Sequence, residues 1–212
     1  MKILAVSNEE CAALWEHYVP GSLKDYDLII SCGDLDPEYL SFLVTMARCP
    51  VLYVHGEQDG CYKKSPPGGC DCIDGHLLSY NGLKILGLGG WLSQRDGAHR
   101  YSEKQMRRKI VKLHWKIRRM GGVDLIVTHA PPCTSEDEEN SGFRVFEEML
   151  ALYQPQMLIH GHARLSYGEP RERTVSDVRV VNTHQRCVVE LPDNPFPAEH
   201  RGQFLWKTKH KD

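Results

Sequence analysis

Met157-Leu158-Ile159-His160-Gly161-His162-Ala163-Arg164, residues 157–164, is an apolar run that stops at once in a polar, histidine-bearing cluster. Four other stretches end the same way. Ile3 to Val6 meets Ser7-Asn8-Glu9-Glu10, Leu28 to Ile30 meets Cys32-Gly33-Asp34, Val51 to Val54 meets His55-Gly56-Glu57-Gln58-Asp59, and Leu125 to Val127 meets Thr128-His129-Ala130-Pro131-Pro132. Short runs rich in Val, Ile and Leu read as strands buried on both faces, which are parallel strands covered by helices. Ligands of such sheets bind beyond the carboxyl ends of the strands, so the five polar tips are expected to meet at one edge.

Between these strands, helical patterns cover about 9–18, 37–48, 102–120 and 142–154. Ser7-x-x-Glu10 reads as a capping box for the first of them, and Ser102-x-x-Gln105 with the stop Gly121-Gly122 frames the third. In that third helix Met106, Ile110, Leu113, Ile117 and Met120 recur at steps of three and four. Its arginines and lysines are therefore the solvated outside of a core helix, not a nucleic-acid face. Ile73 to Gly90 reads as a hairpin turning at Asn81-Gly82. Thr174-Val175 and Val178 to Val181, followed by Cys187-Val188-Val189, add a second β region and imply a second sheet.

The chain has 212 residues, enough for one α/β domain, expected over residues 1–190 with a tail at 191–212 ending in Lys207, Lys209 and Lys211. Its formal charge of −2 supplies no field that would draw nucleic acid or an anionic membrane. No segment approaches the roughly 18 apolar residues of a membrane span. The eight cysteines are scattered, several within apolar runs, which fits a soluble protein of the reducing cytoplasm. Cys61, Cys70 and Cys72 with His76 do not have the spacing of a zinc finger and read as loop thiols.

Taken in order and spacing, the five tips resemble the motif series of the calcineurin-like metallophosphoesterases, which runs D-x-H, G-D, G-N-H-D/E, H and G-H-x-H. Gly87-Leu88-Gly89-Gly90 and His129-Ala130-Pro131-Pro132 are similar too, so the resemblance spans residues 2 to 190. It implies a four-layer α/β/β/α sandwich of two mixed sheets. It also implies a centre where divalent metals activate hydroxide and act as Lewis acids toward phosphorus. Asp34 stands at the bridging position, and His129 and His162 at two histidine-ligand positions.

The departures are as specific. Asn8, Glu9 and Glu10 replace D-x-H; Gly56, Glu57, Gln58 and Asp59 replace G-N-H-D; Arg164 replaces the last histidine; and Asn140 replaces a histidine expected before Gly142. A first metal would rest on Asn8, Glu10 and Asp34 beside Arg164, which has no acceptor and repels cations. That position is expected to hold no ion, with Arg164 pairing with Glu10, Asp34 or a bound phosphate. Asp34, Glu57, His129 and His162 could still bind one Mn, Zn or Fe ion. Gln58 could orient a substrate but not transfer a proton. For Glu10 capping is weighed against ligation, for Glu57 a solvated loop acid against a ligand, and for Arg164 a structural salt bridge against phosphate binding. His55, His160 and His184, near the same strand ends, read as hydrogen-bonded histidines that could also orient ligands.

Two functions follow. One is slow, metal-dependent hydrolysis of a phosphomonoester or phosphodiester, with Arg164 near the phosphate. The other is a catalytically inactive protein of the same fold, holding no metal, whose pocket binds a phosphorylated ligand or a protein partner. Specificity in either case would lie in the loops Tyr62 to Cys72 and Ser135 to Gly142.

Overall fold

The structure is a computed structural model and describes residues 1–137, 141–165, 168–192 and 204–205. Strands β1 (Lys2–Ser7), β2 (Leu28–Ser31), β3 (Val51–Tyr53) and β4 (Asp71–Cys72) run parallel, and β13 (Gln185–Glu190) closes their sheet antiparallel to β1, in the order β13-β1-β2-β3-β4. The second sheet is built from β5 (Leu77–Tyr80), β6 (Leu83–Leu88), β9 (Leu125–Thr128), β10 (Met157–His160), β11 (Glu172–Val175), β12 (Val178–Asn182) and β14 (Phe204–Leu205). Its order is β11-β12-β10-β9-β6-β5-β14, with β6, β9, β10 and β12 parallel. A two-stranded ribbon joins β7 (Trp91–Leu92) to β8 (Arg100–Tyr101).

Alternation along each strand explains the layers. Ile3 and Ala5 of β1, Ile30 of β2 and Leu52 of β3 point inward, where they meet Ile85, Val127, Ile159 and Val181 of the other sheet. Their neighbours Leu4, Val6, Ile29 and Tyr53 point outward onto Tyr39, Leu40 and Leu43 of α1 (Pro37–Met46). Leu86, Ile126, Leu158 and Val180 turn outward onto Met106, Ile110 and Ile117 of α2 (Glu103–Arg119) and Phe146 and Leu150 of α3 (Arg144–Tyr153). A strand buried on both faces has apolar residues at every position, the pattern the short runs show. The fold is the expected four-layer α/β/β/α sandwich of two mixed sheets.

Three local readings are also realised. Ser102 and Gln105 form a reciprocal capping box at the start of α2. Asn81 and Gly82 take φ 46° and 82° between β5 and β6, the left-handed pair that a two-residue hairpin requires. Ser176 and Asp177 do the same between β11 and β12 with φ 51° and 63°.

The helix expected over residues 9–18 is not formed. Only Ala12–Leu14 is helical, as a 3-10 segment without a side-chain cap, and residues 15–17 continue it as a turn. The groups read as its capping box are used elsewhere: Ser7 Oγ accepts from Thr183 Oγ1 at 3.0 Å, and Glu10 Oε1 accepts from Asp36 N at 2.9 Å, ahead of α1. The helix-like apolar spacing is satisfied instead by packing Leu14, Trp15 and Tyr18 against the α1 layer. On α2, the outer face is not wholly charged, since Trp115 and Val111 are exposed.

Among the described residues no helix is long and apolar enough to cross a membrane. All eight cysteines are free thiols. Asn140, most of the tail and its lysines lie outside the described residues.

Candidate metal centre

The register of the parallel strands brings the tips together. His160 pairs with Thr128 at the ends of β10 and β9, so Gly161 and His129 follow at one level, tied by Gly161 N to His129 O at 3.1 Å. In the other sheet Cys32 N donates to Val6 O and Val54 N to Ser31 O, aligning the ends of β1, β2 and β3. The two sheets meet at Gly161, where a Cβ would lie 2.9 Å from Asn8 Oδ1 and 3.0 Å from Cys32 O. A larger residue there would push the sheets apart.

At this junction Asp34 Oδ2 lies 3.3 Å from His129 Nε2, which lies 3.2 Å from His162 Nδ1. Two of the three residues, Asp34 and His162, hold left-handed φ of 59° and 60°. For non-glycine residues this costs on the order of 1 kcal/mol each and persists only where surroundings enforce it. The enforcement is visible. Asp59, buried, accepts from Gly56 N at 2.6 Å and Asp34 N at 3.0 Å, and Gln58 N donates to Asp34 Oδ1 at 2.7 Å. His162 N donates to Asn8 Oδ1 at 2.8 Å, and the Trp91 ring stacks on the His162 ring with centroids 3.5 Å apart.

The protonation pattern can be derived from partners. His129 Nδ1 lies 2.8 Å from Cys32 O, and a carbonyl only accepts, so Nδ1 carries the proton. In the neutral ring the Nε2 lone pair then faces the Asp34 carboxylate, an acceptor against an acceptor, and only a proton on Nε2 or a metal ion between them relieves it. Burial, followed by the nearby His129, lowers His162 to about 4, so it stays a neutral donor of a lone pair. Burial pushes Asp34 up, but His129, Gln58 N–H and His162 together hold its carboxyl below the ordinary value. Burial raises Asp59 against its two backbone N–H bonds.

These residues fit a metal. Bonds of about 2.0–2.1 Å in a tetrahedral zinc site place neighbouring donors roughly 3.3 Å apart, the separation of two of the three edges here, the third lying within 4.8 Å. His129 also makes the hydrogen bond from its other ring nitrogen to a backbone carbonyl that fixes the tautomer of ligating histidines.

Of the sequence candidates, Asp34, His129 and His162 come together with donor atoms within 4.8 Å of one another. Glu57 does not join them in this conformation: its Oε1 receives Arg100 Nη2 at 2.8 Å. Gln58 is exposed and touches the centre through its backbone only. Asn8 and Glu10 are committed to backbone N–H groups. Arg164 pairs neither with Glu10 nor with Asp34; its Nε lies 3.5 Å from Glu9 Oε1 and its side chain is 82% exposed. His160 is buried with Nδ1 2.9 Å from Gly161 O, and His184 Nε2 lies 3.9 Å from Glu9 Oε2. Cys70 Sγ donates to Leu40 O and His76 Nδ1 bonds Asp74 O, so these loop groups have separate partners.

Trp91 and Arg100 are not legible as site residues in the sequence. Trp91 lies three residues past the end of β6, in a glycine-led tip with no polar cluster to mark it. Arg100 stands in a two-residue strand and carries no sequence signal.

No family model and no curated protein matches the chain. One solved crystal structure superposes on 98% of this chain and 99% of its own, with a TM-score of 0.67 at 14% identity. The protein TT1561 of Thermus thermophilus covers 87% of this chain and 89% of its own, with a TM-score of 0.59 and also 14% identity. The calcineurin-like phosphoesterase YfkN of Bacillus subtilis aligns more loosely, at a TM-score of 0.49 and 12% identity over 98% of this chain and 88% of its own. What the two better superpositions establish is a shared fold.

Proposed function

We propose that this chain is a metal-dependent phosphoester hydrolase, acting on a phosphomonoester or phosphodiester through a mononuclear centre on Asp34, His129 and His162. The observation that supports this most is the convergence of a carboxylate and two imidazoles, with edges of 3.3 and 3.2 Å that match the donor spacing of a tetrahedral site. A divalent Mn, Zn or Fe ion there would supply Lewis acidity and a bound water of lowered pKa.

The chain's own residues do the rest. Asp59 and Gly56 hold the loop that presents Asp34, and Asn8 and Trp91 fix the His162 ring. Gln58, exposed at the rim, can orient a substrate but has no titratable proton to give a leaving group, so turnover is slow. Arg164 would reach a phosphoryl group only on leaving Glu9.

The competing reading, an inactive protein of this fold that binds a phosphorylated ligand, draws support from Glu57 being held by Arg100 and from the commitment of Asn8 and Glu10. Metal content separates the two. Protein purified without chelator and resupplied with manganese, zinc and iron should carry about one equivalent of metal, lost in Asp34→Ala. It should then hydrolyse members of a phosphoester panel. A wild-type chain that takes up no metal would overturn the hydrolase.

A further inference from the structure

We propose that Arg100 is the phosphoryl-binding cation of this centre, and that Glu57 is exchanged between Arg100 and the metal, so that metal loading frees Arg100 for the phosphoryl group. The inference rests on the mononuclear reading above and assigns its substrate-binding charge to a residue no motif marks.

Arg100 is held close to the centre from two sides. Across the ribbon it is the register partner of Trp91, whose ring lies on His162. Through Nη2 it holds Glu57, the residue before Gln58, whose N–H is 2.7 Å from Asp34 Oδ1. The Glu57 backbone is thus joined directly to a nitrogen that touches Asp34. The Glu57 carboxylate can therefore turn between Arg100 and the side of the donors by changing side-chain rotamer, with no shift of the backbone that Gln58 ties to Asp34. Among the described residues Glu57 is the one side chain that binds the Arg100 guanidinium, and Nη2 is the one nitrogen it uses. The remaining edge of the fork is left for a second planar or tetrahedral anion.

The exchange is energetically easy. Both side chains are partly open to water, 37% for Arg100 and 27% for Glu57, and such pairs hold weakly. A fourth, anionic donor completes the tetrahedron begun by Asp34, His129 and His162. Freed, Arg100 offers the parallel N–H pair that matches phosphoryl oxygens, beside the metal's charge. Arg164 is a poorer choice, being 82% exposed and turned to Glu9.

The test measures metal affinity by competition with a chromophoric chelator, then inorganic phosphate affinity of the metal-loaded proteins by calorimetry. Arg100→Gln, which releases Glu57, should bind metal up to about fivefold more tightly than wild type. The same variant should lose phosphate affinity by about tenfold or more, with Arg100→Lys between the two. Glu57→Gln should bind metal at least about tenfold more weakly. Thermal melts of all three variants confirm folding. If wild type takes up metal and Arg100→Gln matches it in both affinities, the exchange is wrong while the hydrolase reading stands. If wild type takes up no metal, that reading falls and the exchange with it.

Discussion

Two clusters of the same composition sit on neighbouring strand ends, Asp34 with His129 and His162, and Asp74 with His55 and His99, each with donor atoms within 4.8 Å of one another. They differ in what stands against the carboxylate: a lysine and a histidine at Asp74, two imidazoles at Asp34. Asp74 accepts from Gly89 N at 2.9 Å, faces Lys109 Nζ at 3.2 Å and His55 Nδ1 at 3.3 Å. Burial alone would lower His55, but hydrogen bonds to Asp74 and Cys72 raise it to about 9, and it is an imidazolium at neutral pH. Burial likewise pushes Asp74 up, and His55, Lys109 and the Gly89 N–H bring it down to about 2. His99 lies flat on His55, centroids 4.0 Å apart and planes 7° apart, whereas imidazoles sharing a metal radiate from it. The second cluster is an ion pair completed by a lysine, and the first is a set of donors that face one another at metal-ligand spacing.

The sharpest way to break this contrast is Asp74→Asn. It leaves the Lys109 ammonium and the His55 imidazolium without their counter-charge in a site where the Asp74 side chain is 9% exposed. Removing one partner of a largely buried pair costs about 3 kcal/mol, read as a lowered urea midpoint. Metal uptake should stay at the wild-type level, because none of the donors on Asp34, His129 or His162 is touched. Loss of metal together with stability would mean that the two clusters act as one.

A second, smaller effect has opposite signs on the two sides of neutrality. His160 and His162, both lowered to about 4 chiefly by burial, refuse protons that the unfolded chain accepts, so stability of the metal-free protein falls as pH drops from about 6.5 toward 4. His55, raised to about 9, contributes stability that is complete below about 6.5 and is lost as pH rises through 9. Urea midpoints across pH should therefore peak near neutrality. His160→Asn should flatten the acid limb and Asp74→Asn the alkaline limb. An alkaline limb unchanged in Asp74→Asn would place its origin outside the His55 pair.

The contrast is only half visible in the sequence. Asp34, His129 and His162 can be found because each lies two to four residues beyond an apolar run, and strand register converts that spacing into proximity. Asp74 cannot, since it lies between two short β segments with no run to mark a tip. Glu57 and Arg164 stand out as positions, yet their direction is set by Arg100 and Glu9, partners distant in the chain that no local pattern specifies. The missing first helix has the same origin: Ser7 and Glu10 suit a cap, but Thr183 and the Asp36 N–H claim them across the fold.

Asn8 is where the smallest and most discriminating change can be made. At the position where the resemblance calls for an aspartate ligand, its amide oxygen accepts the His162 N–H at 2.8 Å, and its own N–H goes to Gly33 O at 3.1 Å. Its role is therefore to hold the backbone of His162 in its left-handed turn, and the centre feels it through the imidazole it orients. Since Asn8 itself has φ 68°, glycine removes the side chain without adding backbone strain. Asn8→Gly should cost about 1 kcal/mol of stability and weaken metal binding about tenfold, leaving the stoichiometry at one. Asn8→Asp keeps an oxygen for the His162 N–H and should restore the affinity. If Asn8→Gly abolishes binding, Asn8 is itself a ligand and the division between spent and convergent donors moves by one residue. If it changes nothing, the turn at His162 is held by Trp91 and the strand alone.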